Sequence, residues 1–264
     1  MKRLEICIPF FGTPFPQTLR ALEGSVPLLR EAGWDANAQI EVNNPYISCA
    51  RSMMLRKALN RQPEVIVFID HDVSWDARDL LTLIETPGDV VAGTYRFKKD
   101  KIEYMGMTMP DLDGQQQVRH RGVCQDPYDP EFQCALLGHS APAGFLKITV
   151  DAVDRFMRAY PELVYGPPHA PSVDLFNHGV KDGIWWGEDY AFCRNWRDLG
   201  GELLIVPNLN ISHWRRDVDG SYTEFKGNYH WYLASCAGGA RDPQREKDHA
   251  EHETDWGSVQ RPAA

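Results

Sequence analysis

The fold of this chain is decided by one stretch, Val65-Ile66-Val67-Phe68-Ile69-Asp70-His71-Asp72. Its apolar residues do not alternate with polar ones, which is typical of a strand buried on both faces in a parallel sheet. The two acids, Asp70 and Asp72, are therefore expected at the C-terminal end of the strand. In open α/β sheets this is the edge where ligands bind, because loops and helix N-termini converge there.

Two carboxylates one residue apart on a tight turn can share a divalent cation. Magnesium and manganese prefer oxygen ligands, and they commonly bridge one or two carboxylates to the phosphates of a substrate. The alternative is that Asp70 and Asp72 only end the strand and cap the next helix, since Asp is a good turn and N-cap residue. Asp76 already offers a cap to that helix. This favours a site for a metal and a diphosphate.

The composition bounds the class of protein. A chain of 264 residues with 43% hydrophobic and 11% aromatic content can form one large α/β domain or two small ones. The net charge of −9 argues against a surface coated for nucleic acid, although a local basic patch is compatible with it. The six cysteines are scattered without a Cys-x-x-Cys pair, which is typical of reduced thiols in a cytosol. We expect a cytoplasmic protein with no signal peptide and no membrane span.

Strands and helices alternate in the first part of the chain. Besides the acid-ended strand, the pattern predicts strands at 4–8, 39–42 and 90–95 and helices at about 19–29, 47–59 and 76–84. Prolines are expected to end the first strand after residue 8. The order β-α-β-α-β-α-β implies right-handed crossovers and a mostly parallel sheet.

The second part of the chain favours antiparallel structure. Segments 104–109 and 116–119 flank Asp113-Gly114, which is a strong hairpin signal. Further strands are predicted at 135–139, 144–148, 203–206 and 210–214, with helices at 150–160 and 187–200. Residues 164–186 lack periodicity, and a loop of that length is usually functional or mobile. We expect one domain over 1–240, divided near residue 100, and a disordered tail over 241–264.

Four segments, in order, resemble the motifs of GT-A glycosyltransferases. Asp70-His71-Asp72 resembles the DxD motif, and Ala50-Arg51-Ser52 resembles the Ala-Arg-Asn helix that precedes it. Gly187-Glu188-Asp189 resembles the Glu-Asp motif, and Ser212-His213-Trp214 resembles the late histidine that completes the metal site. Each motif is weak alone, but the ordered set is fairly specific.

The subfamily that the chain resembles is that of small viral and phage glycosyltransferases and the fungal mannan-polymerase type. Their Tyr-Pro-x-Lys segment corresponds to Tyr95-Arg96-Phe97-Lys98, with Arg96 where proline is frequent. The resemblance implies a single Rossmann-like GT-A domain, with a nucleotide-binding half at about 1–100 and an antiparallel acceptor half at about 101–240. It also implies Mn²⁺ or Mg²⁺ as cofactor, a UDP- or GDP-sugar as donor, and an inverting transfer to a hydroxyl.

The resemblance also implies the site residues. Asp70, Asp72 and His213 are the expected metal ligands, and Asp189 or Glu188 is the expected catalytic base. The expected cofactor-binding residues lie at strand ends and in loops: Pro9, Phe10, Arg51, Asp70, His71, Lys98 and Gly144.

Structural alternatives remain for several of these residues. His213 can be a structural histidine at a strand end, Arg51 a solvated helix residue, and Lys98 part of a solvated turn. The acids at the start of the 187–200 helix can simply complement its dipole. Three tryptophans can stack on a sugar or pack in the core: Trp185, Trp186 and Trp214.

The acceptor is open between a saccharide or glycan and a hydroxymethylated base in phage DNA. For DNA, the basic cluster Arg119-His120-Arg121 and the pair Arg215-Arg216 could line the acceptor's path. Two other classes are a nucleotidyltransferase and a non-catalytic carbohydrate-binding protein. The first strand is not followed by a glycine-rich phosphate loop, which disfavours the nucleotidyltransferase.

Overall fold

The structure is a computed structural model that describes residues 1–13, 15–42, 44–121 and 134–236. The tail predicted at 241–264 lies outside the described residues. The first part of the chain forms β1 (Lys2–Phe10), α1 (Pro16–Glu31), β2 (Trp34–Val42), α2 (Ile47–Leu59), β3 (Val65–Ile69), β4 (Val73–Trp75), α3 (Ala77–Glu85) and β5 (Val90–Ala92). Apart from the short strand β4, this is the predicted alternation.

The second part contains more strands than helices. Its elements are β6 (Met107–Thr108), β7 (Val118–Arg121), β8 (Cys134–Ser140), β9 (Phe145–Thr149), α4 (Val150–Ala159), β10 (Val164–Tyr165), β11 (Ser172–Val173), β12 (Gly179–Lys181), β13 (Ile184–Trp186), α5 (Glu188–Asp198), β14 (Leu203–Ile205), β15 (Asn210–Arg216), β16 (Tyr222–Asn228) and α6 (Tyr229–Cys236).

A central sheet of nine strands has the order β2-β1-β3-β9-β5-β14-β8-β6, with β7 also paired to β8. The pairs β1–β2, β1–β3 and β5–β14 are parallel, whereas β9 is antiparallel to both β3 and β5. Strands β1, β2, β3, β5 and β14 therefore run in one direction. This confirms the α/β class, with a mostly parallel central sheet and a smaller antiparallel half around β8.

Strand β3 is buried on both faces, as its apolar run predicts. Phe68 packs on the side of the sheet that is covered by α2, α4 and α5, whereas Val67 and Ile69 pack on the side covered by α1 and α3. The core therefore has two halves with the sheet between them. Truncation of a side chain as central as Phe68 to alanine should cost about 3–5 kcal/mol of stability.

Two predictions, the end of the first strand and the pairing around Asp113-Gly114, are wrong. Strand β1 does not stop before Pro9 but continues to Phe10, paired with β2. The β1–β3 pairing ends at Cys7, so the strand beside Pro9 has only one neighbour and a missing N–H is tolerated there. The segments on either side of Asp113-Gly114 do not form a regular hairpin, because β6 and β7 both pair with β8. The predicted turn itself is present, closed by the bridge between Pro110 and Gln116 and by the hydrogen bond from the Asp111 N–H to the Gln115 carbonyl at 2.8 Å.

The segment 164–186 is ordered, contrary to the prediction of a loop without structure. It contains two short hairpins, β10–β11 and β12–β13. Leu175 and Phe176, which lie between the hairpins, are fully buried in the core. The Tyr165 hydroxyl donates to the Ser52 carbonyl at 2.7 Å and anchors the segment to α2. The β12–β13 hairpin projects Val180, Ile184 and Trp185 into solvent.

No helix in the described ranges combines the length and the apolar character that crossing a bilayer requires. The division of the chain into a nucleotide-binding half and an acceptor half stays a prediction.

Candidate active site

The acids that follow β3 meet a histidine through the pairing of two other strands. Strand β4, directly after the acids, pairs antiparallel with β15, which places His213 opposite Val73. We call Asp70-His71-Asp72 the acidic turn. The Trp214 backbone N–H donates to the Asp72 carbonyl at 2.8 Å, which fixes this turn against β15. The turn at the C-terminal end of β3 is therefore joined to β15, which belongs to a separate three-stranded sheet of order β16-β15-β4.

Asp72 and His213 face each other at the acidic turn. His213 Nε2 lies 3.5 Å from Asp72 Oδ1, and Nδ1 lies 2.8 Å from the Arg96 carbonyl oxygen. Because a carbonyl only accepts, Nδ1 carries a proton and Nε2 points to the carboxylate. A hydrogen bond from the second ring nitrogen to a carbonyl is the usual way in which proteins orient a metal-ligating histidine. A divalent cation between Nε2 and the carboxylate would accept a lone pair from each group.

Asp72 is held in its ionised form. Burial raises the pKa of Asp72, but the contact with His213 and the charge of Lys98 outweigh burial and hold this pKa well below its usual range. Lys98 forms an ion pair with Asp72 Oδ2. The sequence-based alternative of a solvated turn does not describe Lys98, whose ammonium group lies at the acidic turn.

Asp70 belongs to a separate network around a buried arginine. Arg51 donates to Asp70 Oδ1 at 2.7 Å and to Glu188 Oε1 at 2.8 Å. The Arg51 side chain is 3% exposed, and its guanidinium lies over the Phe176 ring at 5.3 Å. Arg51 is therefore not the solvated helix residue of the alternative interpretation. It joins the end of β3 to the first turn of α5.

Gly144 is required by the packing of the same network. A Cβ atom at this position would lie 2.0 Å from the Tyr95 hydroxyl and 2.3 Å from Asp70 Oδ2. The Asp70 backbone N–H also donates to the Gly144 carbonyl at 3.0 Å. Gly144 was expected to bind the cofactor, and in the structure the groups that approach it are Asp70 and Tyr95.

Tyr95 is a site residue that the sequence did not identify. It is fully buried, its hydroxyl donates to Asp70 Oδ2 at 3.1 Å, and its ring meets His213 edge-on at 4.9 Å. Tyr95 thus contacts both Asp70, in the network around Arg51, and His213, the partner of Asp72. Tyr95 follows β5, which runs in the same direction as β3 and ends at the same edge of the sheet, and this position was the signal available in the sequence.

Glu188 and Asp189 begin α5 but have different environments. Glu188 accepts from Arg51, whereas Asp189 makes no ion pair within the described part of the chain. Asp189 Oδ1 accepts from the Tyr190 backbone N–H at 2.8 Å. Burial, followed by the charge of Glu188, raises the pKa of Asp189 to about 6. Such a carboxylate can accept a proton near neutral pH.

The remaining predicted cofactor-binding residues lie beside the acidic turn. The His71 ring packs between Phe10 at 5.6 Å and Phe15 at 5.3 Å, and its backbone carbonyl accepts from Thr18 Oγ1 at 2.7 Å. Pro9 precedes Phe10 in β1. Their role in nucleotide binding stays a prediction.

The three tryptophans differ in exposure. Trp214 donates to Ser74 Oγ at 2.8 Å, and Trp186 lies under the Arg194 guanidinium at 4.7 Å, so both have packing partners. Trp185, on the β12–β13 hairpin, is 68% exposed.

The residues present fit a divalent ion that is completed by substrate. Among the described residues, no three His, Cys, Asp or Glu side chains are grouped closely enough to hold a metal by themselves. Asp72 and His213 would supply two ligands and leave the other positions to phosphate oxygens and water, as is usual for Mg²⁺ sites that bind nucleotides. A direct bond from Asp70 to the metal stays a prediction, since both of its oxygens accept hydrogen bonds from Arg51 and Tyr95.

Comparison with known proteins gives a structural neighbour of low similarity. No protein-family model and no curated protein sequence matches the chain. The crystal structure of GalNAc-T7 with UDP, GalNAc and Mn²⁺ is similar over 80% of this chain and 42% of that chain, at 14% sequence identity and a TM-score of 0.47. The chain thus spans less than half the length of this neighbour. At this similarity the neighbour assigns no activity, and function is inferred from the site.

Proposed function

We propose that this chain is a metal-dependent glycosyltransferase of the GT-A type, which transfers a sugar from a UDP- or GDP-sugar to an acceptor hydroxyl. The observation that carries the proposal is the contact of Asp72 with His213, whose Nε2 is aimed at the carboxylate. The position at the C-terminal edge of a mostly parallel sheet supports it, because nucleotides bind at this edge in open α/β folds.

The donor side would consist of Asp72, His213 and Lys98. Asp72 and His213 would hold Mn²⁺ or Mg²⁺, which supplies Lewis-acid stabilisation of the charge that grows on the departing diphosphate. Lys98 is the cation beside Asp72 that can contact the same phosphates. Asp70 is directed toward the ribose or a metal-bound water in this proposal, and Arg51 holds Asp70 in place.

The acceptor side would use Asp189 as general base. In an inverting transfer, the acceptor hydroxyl attacks the anomeric carbon while a carboxylate removes its proton. The raised pKa of Asp189 places it in the range that suits a base near neutral pH. Glu188 is the weaker candidate, because its carboxylate already accepts from Arg51.

A saccharide or glycan is the acceptor that we favour over hydroxymethylated DNA. Of the cluster Arg119-His120-Arg121, Arg119 pairs with Glu202, which precedes β14 at the edge of the sheet opposite to Asp70, so the charge of Arg119 is already engaged away from the acidic turn. Arg215 pairs with Asp217 at 2.9 Å. A net charge of −9 also disfavours a polyanionic acceptor.

The direct test is incubation with a panel of UDP- and GDP-sugars and Mn²⁺, with saccharides and hydroxymethylcytosine DNA as acceptors. Release of nucleoside diphosphate together with a glycosylated product is expected. Transfer of the nucleoside monophosphate with release of sugar 1-phosphate would indicate a nucleotidyltransferase, and sugar binding without turnover would indicate a carbohydrate-binding protein. Inversion of the anomeric configuration in the product is expected from the role of Asp189.

A further inference from the structure

A second polar cavity lies at the opposite edge of the central sheet. It has a volume of about 510 Å³ and is bordered by the starts of β5 and β14, the end of β9, and helices α4 and α5. The acidic turn follows the C-terminal end of β3, whereas Asp89 and Glu202 precede the N-terminal ends of parallel strands. The cavity is therefore distinct from the candidate active site.

Lys147 is the unusual residue of this cavity. It lies on β9, between β3 and β5 in the middle of the sheet, and it is 4% exposed. Its ammonium group donates to the Thr86 carbonyl at 2.5 Å, and it makes no ion pair with any acid in the described ranges. Burial lowers the pKa of Lys147 to about 8, against the opposing influence of Glu85 and Asp89, so the group is a poorly solvated cation at neutral pH.

The acids of the cavity already have partners. Asp89 accepts from the Thr149 hydroxyl at 3.0 Å and from Arg155 at 3.2 Å, and Glu202 pairs with Arg119 at 2.8 Å outside the cavity lining. Lys147 therefore contributes a positive charge that these carboxylates do not take up by direct contact.

Arg155 adds a second cation with a fixed orientation. Its guanidinium lies 4.8 Å above the Trp196 ring, and only one of its nitrogens is engaged by Asp89. His120 lines the same cavity from β7. A stacked guanidinium presents its remaining N–H groups in one plane, which suits a phosphate or carboxylate.

We propose that this cavity binds a small molecule that carries a phosphate group, held by Lys147 and Arg155. Cavities of about 300–1,000 Å³ are typical of small-molecule sites, so a bare phosphate ion would fill only part of this one. The ligand class is therefore a phosphomonoester of a small polar molecule. This inference does not depend on the proposed glycosyltransferase activity.

The test is isothermal titration of the whole protein with inorganic phosphate and with glucose 6-phosphate, at constant ionic strength, with glucose as the uncharged control. We expect saturable binding of both anions, tighter for glucose 6-phosphate, and no binding of glucose. Lys147→Met and Arg155→Gln should each weaken the binding about tenfold or more, the scale of one lost charge-assisted hydrogen bond. If Lys147→Met does not fold, Arg155→Gln still tests the site, because the Arg155 side chain is exposed and its replacement should leave the fold intact.

A control variant locates the site. Lys101→Met removes an exposed lysine that pairs with Glu103. This variant should bind the anions as the unmodified protein does. The proposal is overturned if neither anion binds saturably, if Arg155→Gln binds them unchanged, or if Lys101→Met is the variant that loses binding.

Discussion

Replacement of Arg51 by methionine tests whether the buried arginine holds the two halves of the candidate site together. The Met side chain keeps an apolar stem over Phe176 but leaves Asp70 and Glu188 without their shared cation. Two charge-assisted hydrogen bonds are lost, each worth about 1.5–3 kcal/mol. Asp70 and Glu188 keep 27% and 25% exposure of their side chains, so water partly replaces the arginine and the lower end of the range applies.

We therefore expect Arg51→Met to lower the free energy of unfolding by about 3 kcal/mol, which for a chain of this size corresponds to a decrease in Tm of about 6–12 °C. Urea unfolding followed by fluorescence measures the first quantity. Arg56→Met, on the exposed face of the same helix, is the matched control and should change stability by less than about 0.5 kcal/mol.

Neutralisation of both partners provides the second half of this test. The triple variant Arg51→Met, Asp70→Asn, Glu188→Gln should recover part of the lost stability, because no uncompensated charge remains. A loss below about 1 kcal/mol for Arg51→Met, or no recovery in the triple variant, would refute the role of Arg51 as a buried bridge.

Three further outcomes are expected. Asp189→Asn should lower kcat by about 100-fold or more while the nucleotide Kd stays within about twofold, and an equal loss of nucleotide binding would place Asp189 on the donor side instead. Since a base must be ionised and the pKa of Asp189 is about 6, kcat/KM should fall as the pH drops through about 6; a profile without this limb contradicts the assignment. Gly144→Ala should destabilise the protein by about 1–3 kcal/mol through the overlap with Tyr95 and Asp70, whereas Gly24→Ala, a helical glycine with open space around it, should be neutral or stabilising.

The sequence predicted the elements whose local signals agree with their tertiary environment. The apolar run of β3, the bounds of α2 at Ile47–Leu59 and the alternation through β5 were all predicted, because periodicity and burial give the same result there. The antiparallel insertion of β9 between β3 and β5 was not predicted. Its residues are nearly all buried, as in a parallel strand, and direction is set by the crossover and not by composition.

The sequence indicated which side chains come together at the acidic turn better than it indicated the partners that hold them. The family resemblance and the predicted strand ends together indicated that Asp72 and His213 are close. The hydrogen bond of Tyr95 to Asp70 joins the ends of β5 and β3, which are not adjacent in the sheet. The burial of Arg51 depends on Phe176, which lies in the segment that was expected to be an unstructured loop. The contact between Arg51 and Phe176 joins segments that are far apart in the chain, and such a contact leaves no local sequence pattern to detect.

The most direct test of the metal-assisted donor site is calorimetry with UDP and GDP in the presence and absence of Mn²⁺. We expect one of the two nucleotides to bind with an affinity that depends on Mn²⁺, and we expect Asp72→Ala and His213→Ala to abolish that dependence while the fold is retained. Asp76→Ala and His169→Ala, which remove exposed side chains of the same types, should bind as the unmodified protein does. Absence of binding by either nucleotide with Mn²⁺, or full metal dependence in both site variants, would contradict the proposed function.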